Sequence, residues 1–317
     1  MTGEERVRKA IRFDHPDRVP IWYFNRDHMQ GDILLHGVWY GHGRVNEWGY
    51  YFETLDDGTM GQPAEAVIPS WDDLETYEWP TLHAEERLAN VEEFKRNAGG
   101  RYTLAALGIS GFTVFTFLRG FENAVVDILA EPDKAGYLLD RIFEHETRLI
   151  ELAARAGLHG FHFADDWGTQ DGLIINPELW RAIFKDRYRR QFERAHELGL
   201  DVWFHCCGNI AAILPDFYEI GVDVMNISQP NVVDIDEAGR QLRGKQCFMV
   251  PISYQTVSIS GTVEDIYAEA RRLYDRLGTP EGGFIGYVEE YSCMGMTETN
   301  YRACGDAFRA LMAGTVR

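Results

Sequence analysis

The chain has 317 residues, with 31 lysines plus arginines against 50 aspartates plus glutamates, a formal net charge of −19. That balance argues against a duplex nucleic-acid binder, which needs a basic face to displace condensed counterions, and against docking on an anionic membrane, which attracts clustered lysine and arginine. With 45% hydrophobic residues the chain can bury a large core, and no run of 18 apolar residues offers a membrane span.

In chain order, Val7, Ala10 and Ile11 follow Thr2 at helical spacing, with Glu4 and Glu5 at the favourable end of that helix. The pattern stops at His15-Pro16. It is charged and amphipathic, unlike a signal peptide. A buried strand is predicted over 19–24. Residues 45–80 are aromatic, acidic and turn-rich (Glu47-Trp48-Gly49, Asp56-Asp57-Gly58, Trp71-Asp72-Asp73) and read as an irregular excursion that includes a hairpin. Beyond residue 100 short apolar runs alternate with longer amphipathic ones. Strands are predicted over 102–107, 161–165, 202–206, 222–227, 247–252 and 284–288. Helices are predicted over 119–129, 132–156, 177–198, 209–219, 233–243, 262–277 and 299–313. An eighth strand is expected near 112–117. This alternation indicates parallel βαβ units. Without a GxGxxG turn after the first strand, an α/β (β/α)8 TIM-type barrel is favoured over a dinucleotide-binding sheet. No repeat, low-complexity tract or linker divides residues 1–317, which are expected to form one domain.

Five cysteines, an odd number in a long chain, do not make a disulfide framework. They point to a cytoplasmic protein with thiols free for metals or chemistry. In a barrel of this type functional groups sit at the C-terminal ends of strands. The clearest such end is Val202-Trp203-Phe204-His205-Cys206-Cys207-Gly208-Asn209. Alternation along a strand turns His205 and Cys207 to one side and Cys206 to the other. One imidazole and one thiolate within reach of one ion suit zinc, and a third protein ligand would leave a position open for chemistry. Cys293, beyond the 284–288 strand, is placed to supply it, with Glu289 and Glu290 as oxygen alternatives. Cys247 opens its strand and Cys304 lies in the last helix, so both read as core.

Asp165 and Asp166 end the 161–165 strand. They cannot both point into the barrel, so one is expected to cap a helix or hold a backbone amide while the other acts as general acid or base or orients substrate. Arg26, after the first strand, could dock a carboxylate or form a surface ion pair. Tyr23, Asn209, Gln229, Tyr254 and Gln170 complete the candidate substrate contacts. His162, Trp22, Trp48 and Trp71 read as packing residues.

The segments ERVRKAIRFDHPDRVPIW, EWGYYFE, WDDLETYEWP, LRGFENAVVDILAEPDKAGYLL, FADDWGTQDGLIINPELW and HCCGNIAAILPDFYEIGVDVMNISQP together resemble the uroporphyrinogen decarboxylase superfamily, over residues 3–312. The resemblance independently implies the (β/α)8 barrel. One branch of that superfamily decarboxylates a tetrapyrrole without a cofactor and carries R-Q-A-G-R after its Pro-x-Trp strand. Here Pro20-Ile21-Trp22 is followed by a single arginine, Arg26, which weighs against that carboxy-lyase alternative. The other branch, corrinoid-linked methyltransferases, holds zinc with an H-x-C pair and a later cysteine. His205 and Cys207 fall on the pair. The third ligand falls on Cys293 or, counted from Gly282-Gly283, on Glu290. What this branch implies is methyl transfer between a small-molecule donor or acceptor and a corrinoid (cobalamin). No D-x-H-x-x-G cobalamin motif is present, so the corrinoid is expected on a separate partner protein docking at the barrel mouth. Homodimers occur in the superfamily.

Overall fold

Eight parallel strands follow one another around a ring: β1 (Ile21–Tyr23), β2 (Ile33–Gly37), β3 (Tyr102–Ala106), β4 (Gly160–Ala164), β5 (Asp201–Cys206), β6 (Val224–Ile227), β7 (Cys247–Pro251) and β8 (Phe284–Val288). The structure, a computed structural model, describes residues 1–42, 44–53 and 61–311. β1 pairs with β8, Ile21 opposite Gly286. Between β1 and β2 the ring is completed by Asp32, whose N–H donates to the Ile21 carbonyl at 2.8 Å and whose carboxylate accepts from the Ile21 N–H at 2.9 Å. Arg6 and Arg18 neutralise that carboxylate. The result is a TIM-type α/β barrel.

Helices cover the outside: α1 (Gly3–Arg12), α2 (Ala84–Leu88), α3 (Val91–Ala98), α4 (Gly111–Arg119), α5 (Phe121–Ala130), α6 (Pro132–Arg155), α7 (Pro177–Trp180), α8 (Asp186–Glu197), α9 (Leu214–Glu219), α10 (Ile235–Leu242), α11 (Val263–Leu277) and α12 (Glu298–Ala310). Thr2 caps α1 reciprocally with Glu5, as the sequence suggests. Among the described residues no helix is long and apolar enough to cross a membrane. Alternation divides the core in two: Trp22, Leu104, Trp203, Met249, Ile285 and Tyr287 fill the barrel, while a larger apolar layer lies between strands and helices.

Seven strands fall within two residues of their predicted bounds. The eighth does not. Residues 112–117, rich in aromatic and β-branched side chains, lie within α4, and the missing strand is β2. The reason is a contact from a distant part of the chain. Asp165, at the end of β4, accepts the N–H groups of Phe112 and Thr113, each at 2.8 Å, and Glu146 accepts that of Gly111 at 2.7 Å. These acceptors satisfy the first turn of a helix that local propensity disfavours. The helix expected over 209–219 starts only at Leu214, because the Asn209 N–H is drawn to the Thr169 carbonyl at 2.7 Å.

Glu146 is buried, and that burial lifts its pKa from 4.5 to about 8 despite hydrogen bonds from Gln191 and Gly111. A folded-state value above the unfolded one gives a contribution that is complete below about pH 4.5 and lost as pH rises through about 8. Wild-type protein is therefore expected to lose stability relative to Glu146→Gln between pH 5 and pH 8, by at most about 1.4 kcal/mol per pH unit. Urea unfolding of both proteins across that range checks this. A difference that does not change with pH counts against it.

The excursion between β2 and β3 carries two short antiparallel ribbons, Gly41–His42 with Val45–Asn46 and Phe52–Glu53 with Gln62–Pro63. The expected Asp56-Asp57-Gly58 turn lies outside the described residues. Arg87 of α2 pins the excursion down. Its side chain is fully buried, pairs with Glu47, and donates to the carbonyls of Val38 and Leu82. His145 of α6 meets the same Glu47 carboxylate at 2.8 Å. Burial alone would raise Glu47, but His145 and Arg87 hold it below the usual carboxylate range.

Candidate metal centre at the barrel mouth

β5 presents Trp203 and His205 inward, and Cys207 continues the same side. The Cys207 Sγ lies 3.5 Å from His205 Nε2. The third member of the group is Asp166, two residues beyond the end of β4, with its Oδ1 3.9 Å from the same His205 nitrogen. One ligand atom from each of the three lies within 4.8 Å of the others, and all three side chains are half-buried. Among the described residues this is the one such cluster of histidine, cysteine and carboxylate.

The cluster is held from behind. Asn226, on β6, donates through its amide nitrogen to the Met249 carbonyl at 2.9 Å, which turns its oxygen to His205 Nδ1 at 2.6 Å. An acceptor there takes the Nδ1 proton, so Nε2 is the nitrogen turned to the cluster, where a bound ion would replace its proton. Asp166 Oδ1 accepts the Cys207 N–H at 2.8 Å, and the Asp166 N–H donates to Thr113 Oγ1 at 3.1 Å. The two segments cross backbone on backbone at Gly168 and Gly208. A Cβ on either glycine would overlap the main chain of the other, and Gly208 has φ +77°. Burial opposes charge on His205, but Cys207 and Asp166 outweigh it and raise its pKa to about 10. His162, inside the barrel with its ring 6.2 Å from His205, is pushed down to about 3 by burial and then by His205.

Asp165 turns away. It accepts from Thr113 Oγ1 at 2.7 Å and from the Tyr188 hydroxyl, besides the two α4 amides, so of the two adjacent aspartates Asp165 is the helix cap. Gln229 bridges the Gly208 N–H (2.7 Å) and the Tyr254 hydroxyl (2.8 Å). Tyr254 packs against Tyr291 with ring centroids 4.7 Å apart and planes tilted by 33°. Burial first, then the charges of Cys207, Glu289 and Asp166, push the Tyr254 hydroxyl upward.

Several predicted site residues lie elsewhere. Tyr23 faces outward, against Tyr301 and Arg309, because alternation turns Trp22 and Phe24 inward instead. Arg26 is paired with Glu298 at 2.8 and 3.0 Å and lies over the Tyr301 ring. Glu290 folds back to accept the Ser292 N–H at 2.8 Å, and Cys293 is exposed in the following turn. Neither joins the cluster, whose third member is Asp166. Asn209 caps the Ala211 N–H at 3.2 Å, and Gln170 meets Gln255 at 3.5 Å on the exposed rim. Cys247 and Cys304 are buried, in keeping with core positions. The sequence reading missed Asn226, Tyr287 and Tyr291. The available signal for Asn226 was a lone amide in an apolar strand; for the tyrosines, their phase with Glu289 along β8 and its loop.

A nitrogen, a sulfur and an oxygen donor converging at the barrel mouth make a three-ligand set of the kind that suits zinc. Asn226 supplies the support behind the histidine that such sites use.

A methyltransferase from Methanosarcina mazei superposes with a TM-score of 0.73 at 15% identity, covering 97% of this chain and 98% of that one. A D-psicose 3-epimerase from Clostridium cellulolyticum H10 superposes less well, with a TM-score of 0.43 at 11% identity, covering 92% of this chain and 96% of that one. No curated protein sequence matches. At these identities the methyltransferase likeness is one of fold. The family model for uroporphyrinogen decarboxylase (URO-D) matches residues 54–302, most of the length, and the chain belongs to that family.

Proposed function

We propose that this URO-D family enzyme moves a methyl group between a corrinoid carried by a separate partner protein and a small molecule bound at the barrel mouth, with zinc held by Asp166, His205 and Cys207. The observation that carries the reading is the convergence of those three side chains at the ends of β4 and β5. Zinc in such a set supplies Lewis acidity to the heteroatom that gains or loses the methyl group, at neutral pH. The chain's own residues do the rest. Asn226 fixes the His205 tautomer. The Cys207 N–H holds one oxygen of Asp166. The Tyr254 hydroxyl, already accepting from Gln229, keeps its proton free to donate toward the mouth. The resemblance of the H-x-C pair to corrinoid-linked methyltransferases supports the same reading. A multiply carboxylated tetrapyrrole would need cationic anchors, and Arg26 is committed to Glu298.

Purified protein is expected to hold stoichiometric zinc, lost in His205→Ala and Cys207→Ala. Asn226→Ala is expected to weaken zinc binding by about 10–100-fold. Metal analysis and competition with a chromogenic chelator read these outcomes, and anaerobic loss of methylcobalamin absorbance with added thiols reads the transfer. Zinc content unchanged in both ligand variants would sink the proposal.

A further inference from the structure

The geometry points to a small molecule that carries an ammonium group and no anionic group, its nitrogen seated against the Glu289 carboxylate among the aromatic side chains of the mouth. This rests on the metal-centre reading for where the reacting atom lies, and goes beyond it in assigning the substrate's charge. β8 turns Ile285 and Tyr287 into the barrel. The same alternation brings Glu289 inward at the mouth. Its side chain accepts the Tyr291 hydroxyl at 2.6 Å, which fixes the carboxylate while leaving it lone pairs for a further donor.

Aromatic side chains lie near it along the mouth. Tyr291, whose hydroxyl it accepts, packs against Tyr254 with the ring planes tilted by 33°. Toward β1, Phe24 lies 5.8 Å from Tyr287 and 5.6 Å from Trp22, centroid to centroid, and Phe24 is exposed at the mouth. A carboxylate framed by electron-rich rings is the environment in which proteins hold alkylated ammonium groups.

Among the described residues, the arginine beside this wall is not free to anchor an anionic substrate. Arg26, which follows β1, is occupied by a bidentate pair with Glu298 and by the Tyr301 ring. A carboxylate, sulfonate or phosphate would have to approach the Glu289 carboxylate without it.

Three thiols of similar length and different end charge test this directly: cysteamine, 2-mercaptoethanol and 3-mercaptopropionate. Cobalt(II) in place of zinc gives a thiolate charge-transfer band from Cys207, and the growth of that band when an added thiol joins the metal reports binding without turnover. The ammonium thiol is expected to bind about tenfold tighter than the neutral one and about a hundredfold tighter than the carboxylate. Glu289→Gln is expected to erase the ammonium preference while leaving 2-mercaptoethanol binding unchanged. Equal binding of 3-mercaptopropionate and cysteamine to the wild type, or a preference that survives Glu289→Gln, overturns the inference and leaves the metal centre standing. Failure to bind cobalt or zinc overturns the metal centre instead. The charge inference is then read on metal-free protein by calorimetry with choline against its uncharged isostere 3,3-dimethylbutan-1-ol, where absence of a choline preference overturns it.

Discussion

Gly208→Ala is expected to abolish stoichiometric zinc binding and to lower the unfolding free energy by about 3 kcal/mol. Two costs combine. The residue sits at φ +77°, where any side chain strains the backbone, and its new Cβ would drive into the carbonyl of Gly168. The second cost bears on the site, since separating these two segments separates Asp166 from Cys207 and breaks the 2.8 Å bond between them. Gly199→Ala is the matched control. Its φ of +81° is equally unfavourable, but nothing lies within 4 Å of the added atom, so only the backbone cost of about 1–2 kcal/mol applies and zinc is retained. Urea unfolding and metal analysis on both variants measure the difference. If Gly208→Ala behaves like the control, the glycine crossing does not assemble the cluster.

Arg87→Met is expected to destabilise the fold by about 3–5 kcal/mol, because it strands Glu47 in a buried site with its arginine partner gone and only the His145 hydrogen bond left. Part of the loss should return in the Arg87→Met/Glu47→Gln double variant, which removes the orphaned charge as well. A double-mutant cycle on chemical unfolding gives the coupling between the two residues. Additive losses would show that the pair does not act as a unit, and that the carbonyl bonds of Arg87 alone anchor the excursion.

Most of the barrel was legible because its strands are buried on both faces and read as short apolar runs at regular spacing. β2 was not legible. Its apolar stretch, Ile33-Leu34-Leu35, is brief and is flanked by Gly31-Asp32 and His36-Gly37, so the stronger run at 112–117 stood in for it. What makes that run helical is the pair of acceptors on Asp165 and Glu146, brought there by the fold and absent from any local pattern. The same division holds at the mouth. His205 and Cys207 share a strand, so alternation places them together without further information. The third member was sought by counting along the chain past β8, whereas Asp166 arrives from the neighbouring strand through the glycine crossing. Adjacent aspartates announce that one will face the site, but choosing between them needs α4 in place.

The pairing of β1 with β8 has a consequence for synthesis. Asn25 and Glu290, which exchange hydrogen bonds where those two strands end, stand 265 residues apart, and α1 reaches the last strand's approach through Gly283, whose N–H donates to the Ala10 carbonyl at 2.8 Å. At a ribosomal rate of about 5–20 residues per second, β1 waits roughly 13–50 s for its partner. During that time it presents an open strand edge, available to other nascent chains or to chaperones. The mouth cannot take its final shape until nearly the last helix has been made, so a truncated chain would lack both the wall carrying Glu289 and the closure that buries Trp22.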